Sequence, residues 1–317
     1  MASFLVYSQP IVQKYRAAYA SPAALFQLLS LALTIICPLL VAYRSQGFWL
    51  KTRSYEEQPD IRFRHEFILV ATGKRSTDYM VWSSFAELNE MEQERLRIPV
   101  IQSRGVDVNR DGKADEIEIS ITFPLAEGEA VQGLSALLFF HYQLQLYSRF
   151  EMVGMISLEE SWPVESAEAS VSGDFQLFQR IPLWHRGVDR RWARHPINLT
   201  SLDGSPRLAK AEDFRLDSLR DNYAARNVSL RLGNKLGHWK PAPPAGTQTS
   251  FTAKLKFAVP TQSIQYYAGV WELLKWGWVQ YVAILPIFLL VFGALRRFVF
   301  QNRIFATIPQ KVRVLND

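Results

Sequence analysis

Two long uncharged apolar runs constrain this chain more than any other feature. The first has its apolar centre at residues 23–43, and the second covers residues 276–295. A helix of roughly 20 apolar residues is long enough to cross the hydrocarbon core of a bilayer. Buried helices of soluble domains rarely run that far without a charge, so both runs predict membrane-spanning helices. Pro38 and Pro286 lie inside them, and membrane helices tolerate proline with local kinks.

A cleaved signal peptide is the alternative interpretation of the first run. Its apolar stretch is longer than the usual signal-peptide core of about 7–15 residues, and about twenty residues precede it. We therefore predict an uncleaved anchor. The sole cysteine, Cys37, lies in this run. A small apolar filler is the favoured role for it, and palmitoylation is the alternative.

The formal net charge of +6 comes from the two tails of the chain. Residues 1–22 carry Lys14 and Arg16 with no acid, and residues 296–317 carry five bases against one acid. Residues 23–295 contain equal numbers of acidic and basic side chains. The middle of the chain is therefore neutral, which argues against a nucleic-acid-binding domain.

The basic C-terminal tail also predicts the topology. Because cytoplasmic flanks of membrane helices are enriched in Lys and Arg, residues 296–317 are expected in the cytoplasm. With two spans, the tail of residues 1–22 lies on the same side, and residues 44–275 form an extracytoplasmic domain. The acceptor patterns for N-glycosylation at Asn198 and Asn227 both fall in that domain.

Alternation of apolar and polar residues dominates the stretch from residue 44 to residue 275. The predicted strands are residues 62–70, 116–123, 139–146, 173–178, 228–232 and 251–259. Half-buried strands separated by turns predict a mainly β, sandwich-like domain. Residues 85–96 and 209–226 have helical spacing, and the proline-rich residues 240–250 predict a loop.

Residues 107–118 follow the spacing of a calcium-binding loop. Its oxygen-bearing positions are Asp107, Asn109, Asp111, Asp115 and Glu118, with Gly112 at the sharp turn. Strand-like residues on both sides argue against an EF-hand. Two interpretations remain: a loop between strands that binds Ca²⁺ through its first polar positions, or a turn in which Asn and Asp bond backbone amides without metal. In both, we expect the loop to brace the fold.

The other side chains that carry chemistry do not form a catalytic pattern in the sequence. The five histidines are scattered without metal-ligand spacing, and there is neither a phosphate-binding Gly-rich loop nor a Gly-x-Ser-x-Gly turn. Neither apolar run contains a charged residue, which argues against a transporter. A non-enzymatic protein is expected, with Ca²⁺ as its one possible cofactor.

Three blocks of the sequence carry a resemblance to a known family. They are residues 39–51 with 54–59, residues 107–115, and residues 271–302 with 307–309. In their residues, order and spacing, these blocks resemble the transmembrane protein 231 family of the ciliary transition zone.

This resemblance implies a non-enzymatic role at the ciliary base. It implies two spans with both termini cytoplasmic, and membership of a membrane complex with tectonic and B9-domain proteins. That complex contributes to a diffusion barrier for ciliary membrane proteins and supports ciliogenesis and Hedgehog signalling. The alternative is a ligand-binding or adhesion receptor, since a β-sandwich on membrane anchors serves many roles. A membrane enzyme is third, because no catalytic pattern supports it.

Overall fold

Strands occupy most of the chain between the two apolar runs, and each run is one long helix. A computed structural model describes residues 15–45, 47–75, 77–197, 211–243 and 249–309. The helices are α1 (Pro22–Arg44), α2 (Ala86–Met91), α3 (Leu216–Ala224) and α4 (Val270–Gln301). The strands are β1 (Tyr15–Arg16), β2 (Thr52–Glu57), β3 (Asp60–Thr72), β4 (Tyr79–Ser83), β5 (Val100–Val106), β6 (Glu116–Pro124), β7 (Val131–Leu144), β8 (Arg149–Gln179), β9 (Val188–Trp192), β10 (Val228–Pro241), β11 (Ser250–Ala258), β12 (Gln262–Tyr267) and β13 (Ile308–Pro309).

The described residues form two compact units. Residues 52–267 make up the β domain, and the flanking segments up to residue 51 and from residue 268 make up the helical unit. Both long helices meet the length and composition needed to cross a membrane. The predicted spans, residues 23–43 and 276–295, lie inside α1 and α4.

The helical unit is an antiparallel pair. Helix α1 begins where the Ser21 hydroxyl accepts the Ala24 N–H at 3.3 Å, with Pro22 in the first turn. Phe26 near its start contacts Phe300 near the end of α4, with ring centroids 6.0 Å apart. The short strands β1 and β13 pair with each other, so Tyr15 and Ile308 lie at the same end of the unit.

Among the described residues, one curled sheet of nine strands forms most of the β domain, and β2 pairs with β12 in a separate two-stranded sheet. The strand order of the nine-stranded sheet is β4-β3-β7-β8-β11-β6-β5, and β9 and β10 also pair with β8. The 31-residue strand β8 belongs to two layers. Its first part, from Phe150, pairs with β7, and its second part pairs with β11 from Glu168 to Asp174. This arrangement confirms the mainly β, sandwich-like prediction, with both layers built from a single sheet.

The core lies between the two layers. Phe140 in β7 contacts Phe175 in the second part of β8 at 4.9 Å and Phe257 in β11 at 6.2 Å between ring centroids. All three side chains are fully buried. Aromatic pairs at these distances add to the burial of apolar area that stabilises the domain.

Helix α3 covers the outer face of the first layer. Leu219 and Tyr223 are buried against Phe139 and Met155 of the sheet. The Tyr223 hydroxyl accepts two backbone N–H groups, from Met155 in β8 at 3.0 Å and from Leu230 in β10 at 2.8 Å. Burial raises the pKa of this hydroxyl. One side chain therefore joins the helix to two strands.

Several helix, strand and loop boundaries differ from those predicted from the sequence. The helix predicted at residues 85–96 breaks at Glu92 into α2 and a short 3-10 turn. In the segment 209–226, residues 209–210 lie outside the described residues, and the remainder is a 3-10 turn followed by α3. The predicted loop at residues 240–250 is shorter, because β10 continues to Pro241 and β11 begins at Ser250. The sequence did not predict most of β8 or the shorter strands β1, β2, β4, β9, β12 and β13.

We predict that Tyr223→Phe lowers the free energy of unfolding by about 2–4 kcal/mol, because two buried backbone N–H groups lose their acceptor. Urea unfolding of the full chain in detergent measures this change. Tyr147→Phe is the matched control, since Tyr147 is 59% exposed, and it should shift stability by less than about 0.5 kcal/mol. An equal effect of both substitutions would contradict this role of Tyr223.

Candidate functional site

The Asp-rich loop between β5 and β6 is closed by its own side chains. Asp107 accepts the backbone N–H of Arg110 at 2.6 Å and that of Gly112 at 2.9 Å. Asn109 Oδ1 accepts the N–H of Asp111 at 3.0 Å. Arg110 and Gly112 have φ values of 60° and 87°, a region that glycine adopts freely and a side chain disfavours. These bonds are those of consecutive Asx turns.

Asp115 ties the loop to a distant segment of the domain. Its carboxylate accepts the N–H of Val108 at 2.8 Å and the Nε2 group of Gln58 at 2.8 Å. Lys113 Nζ donates to the Gln58 carbonyl at 2.7 Å. The hydrogen bond from Gln58, followed by that from the Val108 N–H, lowers the pKa of Asp115. The loop thus fastens the segment after β2 to the start of β6.

A cation would compete with bonds that are already made in this conformation. Both carboxylate oxygens of Asp107 and of Asp115 accept N–H groups. Asp111 accepts the Lys113 N–H and the Asn109 side-chain amide. Within the described part of the chain, no group of three or more His, Cys, Asp and Glu side chains could hold a metal ion. The geometry fits the turn interpretation, and calcium binding at Asp107, Asn109, Asp111 and Asp115 stays a prediction.

Of the two glycosylation patterns, the structure describes the one at Asn227. Asn227 is exposed immediately before β10, and its carbonyl accepts the Arg180 N–H at 2.8 Å. The third residue of its pattern, Ser229, is buried in β10. Asn198 lies outside the described residues. The side chain of Asn227 is therefore accessible, and its glycosylation stays a prediction.

A half-buried contact between a histidine and a glutamate was missed in the sequence. His195 packs on Phe139 with ring centroids 4.4 Å apart, and its Nε2 atom is 3.3 Å from Glu66. Burial lowers the pKa of His195, and the hydrogen bond from Arg64 lowers the pKa of Glu66. The nearly 130 residues between Glu66 and His195 hide the pair from spacing arguments. Its position under the helical layer indicates a structural role.

The helical unit is held by aromatic and small side chains. The buried positions of α1 are mostly small residues, namely Ala23, Ser30, Thr34, Pro38 and Ala42. Gly277 in α4 is also buried, and a side-chain carbon there would contact Phe48 at 3.6 Å. Small residues let membrane helices approach closely. The fold and this pair together define a two-span membrane protein with a mainly β domain between its spans in the sequence.

Comparisons with known proteins identify the family. The family model described as transmembrane protein 231 matches residues 1–309. Transmembrane protein 231 of Mus musculus is 42% identical over 98% of this chain and 96% of its own length. The proteins of that name from Homo sapiens and Xenopus tropicalis are 40% and 39% identical, and each alignment covers at least 96% of both chains. The chain belongs to the transmembrane protein 231 family, as its sequence resemblance predicted.

We predict that the Asp-rich loop stabilises the domain without calcium. Asp115→Ala should lower the Tm of the full chain in detergent, whereas Asp221→Ala, an exposed residue of α3, should leave the Tm unchanged. The Tm of the unsubstituted chain should be the same in millimolar CaCl₂ and in EGTA. A calcium-dependent rise in Tm that Asp107→Ala abolishes would instead show a calcium site.

The effect of Asp115→Ala on the Tm should depend on pH. Because the pKa of Asp115 is lowered in the fold, its contribution is present above the unfolded pKa of about 3.8 and is lost as the pH falls below it. The difference in Tm between the unsubstituted chain and Asp115→Ala should therefore shrink in acid.

Proposed function

We propose that this protein is a non-enzymatic structural component of the membrane complex at the ciliary transition zone. The match to the transmembrane protein 231 family over residues 1–309 carries this proposal. In this role it contributes to the diffusion barrier that controls ciliary membrane composition, and it supports ciliogenesis and Hedgehog signalling. Tectonic and B9-domain proteins are its proposed partners, with the lipid bilayer as its surroundings.

The proposed topology has both termini in the cytoplasm and the β domain outside. Two observations support it. The start of α1 and the end of α4 lie on one side of the antiparallel helical unit, so the two tails would share a compartment when both helices cross the membrane. The C-terminal tail carries the larger excess of basic residues, and such residues favour the cytoplasmic face. Asn227 in the β domain is then available to the glycosylation machinery.

The open edge of β5 is the surface of the β domain that we propose for docking neighbouring ectodomains. Among the described residues, β5 pairs only with β6. Ile98 and Val100 at the beginning of this edge and Val108 after it are each more than 60% exposed. A strand with one open edge and apolar side chains beside it can accept a further strand from a partner through backbone hydrogen bonds.

We predict that Asn227 carries a glycan in cells. The Asn227→Gln substitution should reduce the apparent mass to the value reached after enzymatic deglycosylation, unless Asn198 is also modified, in which case the double substitution is needed. Ser229→Ala is a matched variant, because it removes the acceptor pattern together with a buried hydroxyl that has no hydrogen-bond partner in the described structure, and it should fold normally. A chain that contains no glycan at either position, although it reaches the plasma membrane, would contradict the proposed orientation.

We predict that the tagged protein forms a ring at the ciliary base and that this position depends on the β domain. Thr52 and Tyr267 are paired across β2 and β12, so a short Gly-Ser linker can replace residues 52–267 without separating the helices. Fluorescence microscopy with a basal-body marker should show that the deleted variant spreads over the membrane. Spreading of the full chain would favour the receptor alternative.

A second pair of variants tests the docking edge separately. Val100→Lys places a charge on β5, and Leu236→Lys places one at another exposed apolar position, with exposures of 62% and 71%. The first should weaken recruitment to the ciliary base, and the second should not. If the deleted variant keeps its position, or both lysine variants behave alike, docking through this edge is wrong.

A further inference from the structure

A basic cavity lies at the end of the helical unit where α1 begins and α4 ends. It has a volume of about 540 Å³, within the usual range of small-molecule sites. Arg296, Arg297 and Arg303 line it, together with Tyr15 and Gln27. The three arginines come from the end of α4 and the turn after it, and Gln27 comes from α1. The cavity therefore lies between the two helices.

The fold of the chain after α4 places Arg303 at this cavity. The Arg303 N–H donates to the Phe300 carbonyl at 3.3 Å, and the Ile304 N–H donates to the Val299 carbonyl at 3.2 Å. These are the two bonds of a Schellman motif, whose reversing residue is usually glycine. Arg303 has φ 51° there, a strained conformation for a residue with a side chain. The turn has an arginine at the position where glycine would be more stable.

Aromatic packing holds the cavity walls together. Phe26 of α1 contacts Phe300 at 6.0 Å and Phe305 at 5.3 Å between ring centroids. Arg296 Nε donates to the Phe292 carbonyl at 3.3 Å, which uses one of the five N–H donors of its guanidinium group. The first helix, the end of α4 and the returning chain are therefore in mutual contact around the arginines.

The sequence on both sides of this cavity is poor in carboxylates. Residues 1–55 contain neither Asp nor Glu, and between Glu272 and Asp317 there is none. Glu272 lies in the first turn of α4, at the opposite end of that helix from Arg296. Guanidinium groups pair with phosphate in a bidentate manner, and basic pockets between membrane helices bind anionic lipid headgroups.

We propose that this cavity binds the headgroup of a membrane lipid that carries more than one phosphate group, as phosphorylated inositol lipids do. Three guanidinium groups in one cavity exceed the single negative charge of a phosphodiester, so a multiply charged headgroup matches them better. The side-chain amide of Gln27 and the phenol of Tyr15 are polar neighbours for sugar hydroxyl groups. The lipid would belong to the leaflet at the C-terminal end of α4, which is the cytoplasmic leaflet in the proposed topology.

Binding of dioctanoyl phosphatidylinositol bisphosphate to the full chain in detergent tests the proposal. Saturable binding is expected, and Arg303→Gly should weaken it about fivefold, the loss expected for one basic residue near an anionic lipid. Glycine keeps the turn because it adopts positive φ without strain, so weaker binding cannot be attributed to unfolding. Lys275→Gln, an exposed base near the other end of α4, removes the same charge and should leave the affinity unchanged.

Two further probes separate a headgroup site from general attraction and from a site for free phosphate. Dioctanoyl phosphatidylserine should bind at least tenfold more weakly than the bisphosphate, and millimolar inorganic phosphate should not displace the bisphosphate. Equal affinity for both lipids, equal affinity of the Arg303→Gly and unsubstituted chains, or displacement by phosphate would each overturn the assignment.

Discussion

The β domain depends most on the pairing of strand β8, which belongs to both of its layers. Because its first part pairs with β7 and its second part with β10 and β11, neither layer is complete without it. The layers also meet where β10 passes Gly154 of β8. A side-chain carbon on Gly154 would lie 2.7 Å from Leu230, so only glycine permits this approach. Tyr223 then satisfies the backbone N–H groups of Met155 and Leu230 beside it.

The strands that sequence could predict are those with one buried and one exposed face. In β6, for example, Ile117, Ile119, Ile121 and Phe123 are buried in alternation, and period-two patterning detects such a strand. The middle of β8 lacks this signal. Between Pro163 and Glu168 the exposed and buried positions no longer alternate, because there the strand passes from its pairing with β7 to its pairing with β11. The alternation of apolar and polar residues predicts which side chains of a strand are buried. It does not predict which distant strand will be its partner.

The structure of the Asp-rich loop also depends on a contact with a residue distant in the sequence. Its spacing predicted both a calcium loop and a plain turn, since each needs oxygen-bearing side chains at alternate positions and a glycine. The contacts that favour the turn include one from Gln58, which is 57 positions from Asp115 and donates to it at 2.8 Å. The sequence shows that Gln58 is present, but it does not show that Gln58 contacts Asp115. In the helical unit, by contrast, composition alone predicted both helices, because a membrane span is fixed by its own length and apolarity.

The antiparallel pairing of β2 with β12 has a mechanical consequence. Thr52 and Tyr267 form the last pair of this two-stranded sheet, and the Ala268 N–H donates to the Lys51 carbonyl next to it at 2.9 Å. Both connections to the helices therefore leave the domain from one point. Tension that separates α1 from α4 would open the ladder one hydrogen bond at a time from that end, as a zipper opens, and not shear all of its bonds together. This ladder, and not the nine-stranded sheet, is therefore the first part of the domain to receive such a load.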